Sequence, residues 1–194
     1  MAESLVTIRR PPAPITGSVR TWADRYRDGM ARAKRPSGVA TPAVAELLRL
    51  GVSHSTHSYE HDPAHPSYGL EAAEALGVDP SRVFKTLVVQ ADGELAFGIV
   101  PVPCRLDLKA LASALGAKRC EMAPPELAER RTGYVTGGIS PLGQRSRLRT
   151  VLDASALEHG TIHVSGGRRG FEVELAPADL VHALTAFVSV IARD

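Results

Sequence analysis

The reading of the fold turns on VFKTLVVQADGELAFGIVPV, residues 83–102. Val83 to Gln90 is rich in β-branched residues and predicts a strand, Asp92-Gly93 is a hairpin turn pair, and Leu95 to Val102 returns as a second strand. Strand alternation sets Val83, Lys85, Leu87 and Val89 on one face, so one amine stands in an otherwise apolar row. Such a lysine either snorkels to solvent or is aimed into a cleft, where burial opposes its charge unless an anion is bound.

Upstream, Thr41-Pro42 supplies a hydroxyl cap and a first-turn proline for a helix that carries Val44, Leu47 and Leu48 and closes at Gly51. His54 to Tyr59 reads as extended, and Leu70 to Leu76 as a short helix ended by Gly77. Downstream, Asp107 caps LKALASALG, Pro124-Pro125 opens ELAERR, and the loop GYVTGGISPLG leads to a strand at Thr150 to Leu152. Thr161 to Ser165 and Phe171 to Leu175 flank GGRRG as another hairpin, followed by an expected C-terminal helix from about Pro177 to Ile191. Hairpins interleaved with short helices predict an α+β domain with a mixed sheet.

The chain has 194 residues, 44% of them hydrophobic and only 5% aromatic, which suits one domain with an aliphatic core and leaves little for stacking on exposed bases. Eight Lys or Arg against three acids give residues 1 to 38 a charge of +5 and leave −3 for residues 39 to 194. The first segment, with Pro11, Pro12, Pro14, Gly17 and Gly29 among its arginines, reads as a mobile basic arm able to attract a polyanion; the folded domain is expected over residues 39–194. No run approaches the roughly 18 apolar residues of a membrane span, and the start lacks a secretory segment, so a cytoplasmic protein without membrane or DNA partners is expected.

Several chemistries lose their footing. Ser140 is followed by Pro141, which has no N–H to offer an oxyanion, and Leu142 occupies the second glycine position of a nucleophile elbow. His54, His57, His61 and His65 match no zinc spacing, no phosphate-binding glycine motif is present, and neither Cys104 nor Cys120 has a neighbour that would activate it. No metal or cofactor is expected. Gly137-Gly138-Ile139-Ser140-Pro141 stays open between a simple connection and a loop whose backbone N–H groups approach a carbonyl or phosphate.

The segments SYEHDP (58–63), VFKTLVV (83–89), LDLKALASALGAKRCEMA (106–123), TGYVTGGISPLGQ (132–144) and VSGGRRGFEVEL (164–175), in this order, resemble the YbaK/EbsC family and especially its YbaK-type Cys-tRNA(Pro) deacylases, related to the editing domain of prolyl-tRNA synthetases. The resemblance runs from Thr41 nearly to Asp194 and leaves the basic arm outside. It implies an α+β fold with a mixed barrel-like sheet and flanking short helices, and hydrolysis of the aminoacyl ester of mischarged tRNA(Pro), with prolyl-tRNA synthetase as a partner. Related readings are a deacylase for alanine or another small amino acid on tRNA(Pro), or a non-catalytic tRNA- or synthetase-binding module. Carried over residue by residue, the resemblance assigns the functional lysine to Lys85 and catalytic backbone groups to Gly137 and Gly138. Substrate contacts fall to Tyr59, Ile139, Ser140, Pro141 and Glu172, the last standing where the family carries an aspartate.

Overall fold

The computed structural model describes residues 41–194, so the arm expected over residues 1 to 38 lies outside the described residues. The central hairpin forms as expected. Strand β2 (Val83–Ala91) pairs antiparallel with β3 (Glu94–Pro101) through a turn in which Asp92 and Gly93 both have positive φ, 49° and 88°. That is the twist-matched two-residue turn that Asp-Gly favours. The Asp92 carboxylate also accepts from the backbone N–H groups of Lys118 and Arg119, each at 2.9 Å.

Around this pair, strands β1 (His54–Ser58), β5 (Cys120–Met122), β6 (Arg149–Asp153), β7 (Ile162–Arg168), β8 (Phe171–Leu175) and β9 (Phe187–Ser189) complete one sheet. Its order is β1-β8-β7-β2-β3-β6-β9, with β5 added beside β2. The β2–β7, β3–β6 and β6–β9 pairs are parallel and the others antiparallel, giving a mixed half-barrel. A separate two-stranded ribbon joins β4 (Arg105–Leu106) to β10 (Ala192–Arg193).

Among the described residues five short α-helices pack on the sheet: α1 (Pro42–Leu50), α2 (Tyr68–Leu76), α3 (Leu108–Leu115), α4 (Pro125–Thr132) and α5 (Pro177–Leu184). The face bearing Phe84 and Ile99 packs against Ala43, Val44 and Leu47 of α1 and Leu180 and Ala183 of α5. On the opposite face Val89, Val100 and Val151 meet Leu111 and Leu115 of α3, while Val83 and Val102 meet Ala72 and Ala73 of α2. Lys85 pairs with Val100 and so belongs to this second face.

The chain end departs from expectation. The helix begun at Pro177 stops at Leu184, because Thr185 takes a left-handed conformation with φ 51°. The β-branched run that follows forms β9 and reaches β10. Asp153 secures this ending, its carboxylate accepting from the N–H groups of Ile191 at 2.8 Å and Ala192 at 2.7 Å.

Candidate functional site

Along the edge of β2 opposite β3, β7 pairs only with Val83 and Phe84 and β5 only with Val89 to Ala91. Residues 85–88 have no strand beside them there. Val102 N donates to Val83 O, so odd-numbered residues of β2 turn their backbone groups toward β3. Ala123 N donates to Val88 O, so even-numbered residues face the other way. The N–H and C=O of Thr86 therefore point into the gap.

A cavity of about 410 Å³ fills this gap, within the ~300–1,000 Å³ typical of small-molecule pockets. Lys85, Thr86, Ser165 and Glu172 give it polar walls, while Val102, Met122, Ala128 and Ile139 give apolar ones. Ser67, Tyr68 and Gly69, at the start of α2, close one side. Ser67 caps that helix by accepting from Leu70 N.

Lys85 Nζ donates to the Val102 carbonyl at 3.0 Å. Burial pulls its pKa below the ordinary lysine value, and the nearby Cys104 works the other way. Glu172 is buried, and burial pushes its carboxyl up to about 8, so it is a neutral hydrogen-bonding acid over much of the pH range below that value. The Lys85 amine is held by the Val102 carbonyl, not by Glu172, and both residues border the cavity. Tyr59 does not line the cavity. It packs behind the wall with Ala72, Ala73 and Val83, and its phenol is pushed up by burial first and then by Glu172 and Glu71. The segment after it is clamped by the buried Glu71, which takes the N–H of Asp62 at 2.6 Å and lies 2.9 Å from His61 Nδ1.

The glycine-rich loop divides into a lining part and a supporting part. Gly137 and Ile139 border the cavity; Gly138, Ser140 and Pro141 do not. Gly137 has φ +84°, and a Cβ there would stand 2.8 Å from the Tyr68 ring. Gly138 packs against the Arg168–Arg169 backbone, and its N–H is already donated to Val135 O at 2.9 Å. Among the described residues the Gly137 N–H has no such acceptor. Ser140 is fully buried and its Oγ accepts from Leu142 N at 3.2 Å, while Tyr134 donates to Leu142 O at 2.7 Å. Gly143 N donates to Glu46 of α1, so this end of the loop is fastened to the core.

A family model described as the aminoacyl-tRNA editing domain matches residues 64–183. The chain belongs to that family. This editing domain is 37% identical over 142 residues to EbsC of Enterococcus faecalis, whose name proposes a Cys-tRNA(Pro)/Cys-tRNA(Cys) deacylase; the match covers 71% of this chain and 86% of EbsC. It is 34% identical over 85 residues to the proline–tRNA ligase of Citrifermentans bemidjiense, covering 44% of this chain and 15% of the ligase. A solved structure described as a proposed trans-editing enzyme for prolyl-tRNA synthetase superposes with a TM-score of 0.69 at 23% identity, over 81% of this chain and all of that one. At that identity the likeness establishes the editing fold.

Of the residues singled out from sequence, Lys85, Gly137, Ile139 and Glu172 meet at the cavity of this editing domain. Thr86, Tyr68 and Ser165 line it too and escaped sequence reading. Thr86 adjoins Lys85 in VFKTLVV, but alternation points its side chain to the other face; only the missing neighbour strand gives its backbone a role. Among the described residues no helix is long and apolar enough to cross a membrane.

Proposed function

We propose that this editing domain hydrolyses the ester linking a wrongly attached amino acid to tRNA, and that cysteine on tRNA(Pro) is its substrate. The observation that carries the reading is Lys85 on the wall of the cavity, beside the unpaired backbone edge of Thr86. An ester hydrolase must stabilise negative charge on the carbonyl oxygen. Donors fixed beforehand in a water-poor site do this without reorganising. The Thr86 N–H and the Gly137 N–H are backbone donors at the cavity, and Lys85 orients the carbonyl or the neighbouring phosphate. Gly138, whose N–H is committed to Val135, serves by letting the loop lie against the Arg168–Arg169 backbone.

Glu172 and Ser165 take the amino-acid end, with Tyr59 supporting Glu172 from behind and Ile139 supplying an apolar contact. Ser140 and Pro141 hold the loop rather than the substrate. A cysteinyl substrate brings its own nucleophile: its sulfur attacks the ester carbonyl, the ribose oxygen leaves as a hydroxyl after taking up a proton, and water opens the resulting cyclic thioester. This division of labour suits a site without an activated serine or cysteine of its own. The name of EbsC favours the same substrate, and that of the trans-editing enzyme favours a link to prolyl-tRNA synthetase. Prolyl-tRNA synthetase supplies part of the tRNA selection, since the domain over residues 39–194 is net acidic.

Deacylation of Cys-, Ala- and Pro-tRNA(Pro), measured side by side, tests the assignment. Cys-tRNA(Pro) is expected to be cleaved fastest and Pro-tRNA(Pro) to be spared. Faster release of alanine would move the substrate to another small amino acid, and protection of all three tRNAs would make the protein a binding module.

A further inference from the structure

The sheet face that carries Lys85 and Glu172 holds a second polar cluster one residue pair further along. His57 of β1 lies opposite Glu172, while Glu174, two residues on along β8, pairs with His163 of β7. Three adjacent strands thereby bring two imidazoles and a carboxylate together, one ligand atom from each lying within 4.8 Å of the others. His57 Nε2 is 3.0 Å from Glu174 Oε2, and His163 Nε2 is 3.9 Å from Glu174 Oε1.

His163 makes this more than a surface ion pair. Its side chain is only 2% exposed, yet neither ring nitrogen has a hydrogen-bond partner among the described residues. A buried polar group left unpartnered costs free energy that an apolar ring in the same place would avoid. Nε2 is aimed at the carboxylate from beyond hydrogen-bond distance. Two ligands on one tetrahedral zinc ion, each about 2.0–2.1 Å from the metal, stand roughly 3.4 Å apart, so a small closure of these side chains suffices.

We propose that His57, His163 and Glu174 form a binding site for a transition-metal ion of the zinc type, with the remaining position open to water. Imidazole and carboxylate ligands suit such ions. The outer contacts fit as well. Glu174 Oε1 accepts from Thr161 Oγ1 at 2.6 Å and from Arg82 at 3.3 Å, which fixes the carboxylate and leaves Oε2 toward His57. The positive charge of Arg82 weakens binding, so a site of moderate affinity is expected. The four histidines of the 54–65 segment do not converge: His54 is bonded to Val52 O, His61 meets Glu71, and His65 is bonded to Ser67 O. The ion would fasten edge strand β1 to β7 across β8, bracing the wall behind Glu172 without entering the chemistry at Lys85.

All seven histidines and both cysteines lie within residues 41–194, so a compact set of variants covers the alternatives. Metal-free, full-length protein is titrated with Zn²⁺ by calorimetry, with Co²⁺ followed by visible absorption and melting followed with and without Zn²⁺. One equivalent is expected to bind and to raise the melting temperature, with Co²⁺ giving no thiolate charge-transfer band. His163→Phe, which fills the ring's place, and Glu174→Gln should each lower affinity at least about tenfold, whereas the double change Cys104→Ser/Cys120→Ser should leave it unaltered. Absence of Zn²⁺ binding to the wild type, or unchanged affinity in both ligand variants, overturns the proposal.

Discussion

Replacing Lys85 with methionine keeps the side-chain length and removes only the charge and its donors. In the folded protein the loss is one charge-assisted hydrogen bond, from Nζ to Val102 O. Such a bond is worth about 1.5–3 kcal/mol. Against it stands the cost of half-burying an amine, expressed in the downward displacement of the Lys85 pKa. The two largely offset, and the Val102 carbonyl, which also borders the cavity, can take a water instead. Stability is therefore expected to change by no more than about 1 kcal/mol, equivalent to roughly 2–4 °C in melting temperature for a domain of this size.

Activity has no such compensation. Removing one preorganised electrostatic group from an active site costs about 2.7–4 kcal/mol of barrier, or 10²–10³-fold in rate. Lys85→Arg should fall in the same range, since a planar guanidinium cannot donate from the compact position of an ammonium. The assay is single-turnover hydrolysis of Cys-tRNA(Pro) by variants shown to be folded. It also carries a pH signature. Because burial lowers the Lys85 pKa, the ammonium is present at low pH and lost as pH rises through that lowered value. The wild-type rate, corrected for spontaneous ester hydrolysis, should fall on the alkaline side before the ordinary lysine pKa of 10.5 is reached, and the residual rate of the methionine variant should not. Near-wild-type cleavage by folded Lys85→Met would refute the reasoning.

Gly137→Ala should destabilise the domain by about 1–2 kcal/mol through its positive φ and weaken substrate binding by displacing the Tyr68 ring; unchanged melting and KM would count against it. Asp153→Asn should cost on the order of 3 kcal/mol by weakening charge-assisted bonds to the chain end, read as a lower melting temperature. Burial raises the Asp153 pKa, but bonds from Ser155, Ile191 and Ala192 outweigh it, leaving the carboxyl below its usual value. Its stabilisation is thus present above the unfolded pKa near 3.8 and lost as pH falls through the folded one, so acid unfolding of Asp153→Asn should lack that component. Thr86→Val removes a buried hydroxyl without a partner and should raise stability by about 1–3 kcal/mol while leaving cleavage near the wild-type rate, since that side chain lies off the Lys85 face. A stabler variant that cleaved much more slowly would put the hydroxyl in the site. Deleting residues 1 to 38 should leave turnover intact and flatten the salt dependence of tRNA binding, and equal salt slopes would deny the arm a role.

Sequence reading succeeded where the signal is local. Pro42, Asp107 and the Asp92-Gly93 turn each act within a few residues, and each element they mark is present. It failed at the chain end, where apolar residues from Leu180 to Ile191 fit a helical face as readily as a helix followed by short strands. The deciding partner there is Asp153, nearly forty residues earlier, whose carboxylate takes two N–H groups of the final segment. Strand β5 went unread for the same reason: three residues carry too little pattern, and β5 exists because β2 offers it an edge.

The site was half legible for a related reason. Lys85 breaks an apolar row, which sequence displays directly, but the feature that makes the position chemically useful is the absence of a neighbouring strand at residues 85–88. An unpaired strand edge is ordinarily a liability that proteins cover or pair. Here α2 and the loop from Thr136 to Ile139 enclose it in a cavity instead of pairing it, so Thr86 keeps a backbone donor without a strand partner. A fold retains such groups at a cost in stability when another molecule completes them. The parallel β2–β7 pairing stops after Phe84, and that early stop is what converts the most strongly patterned strand of the chain from a purely structural element into one wall of the site.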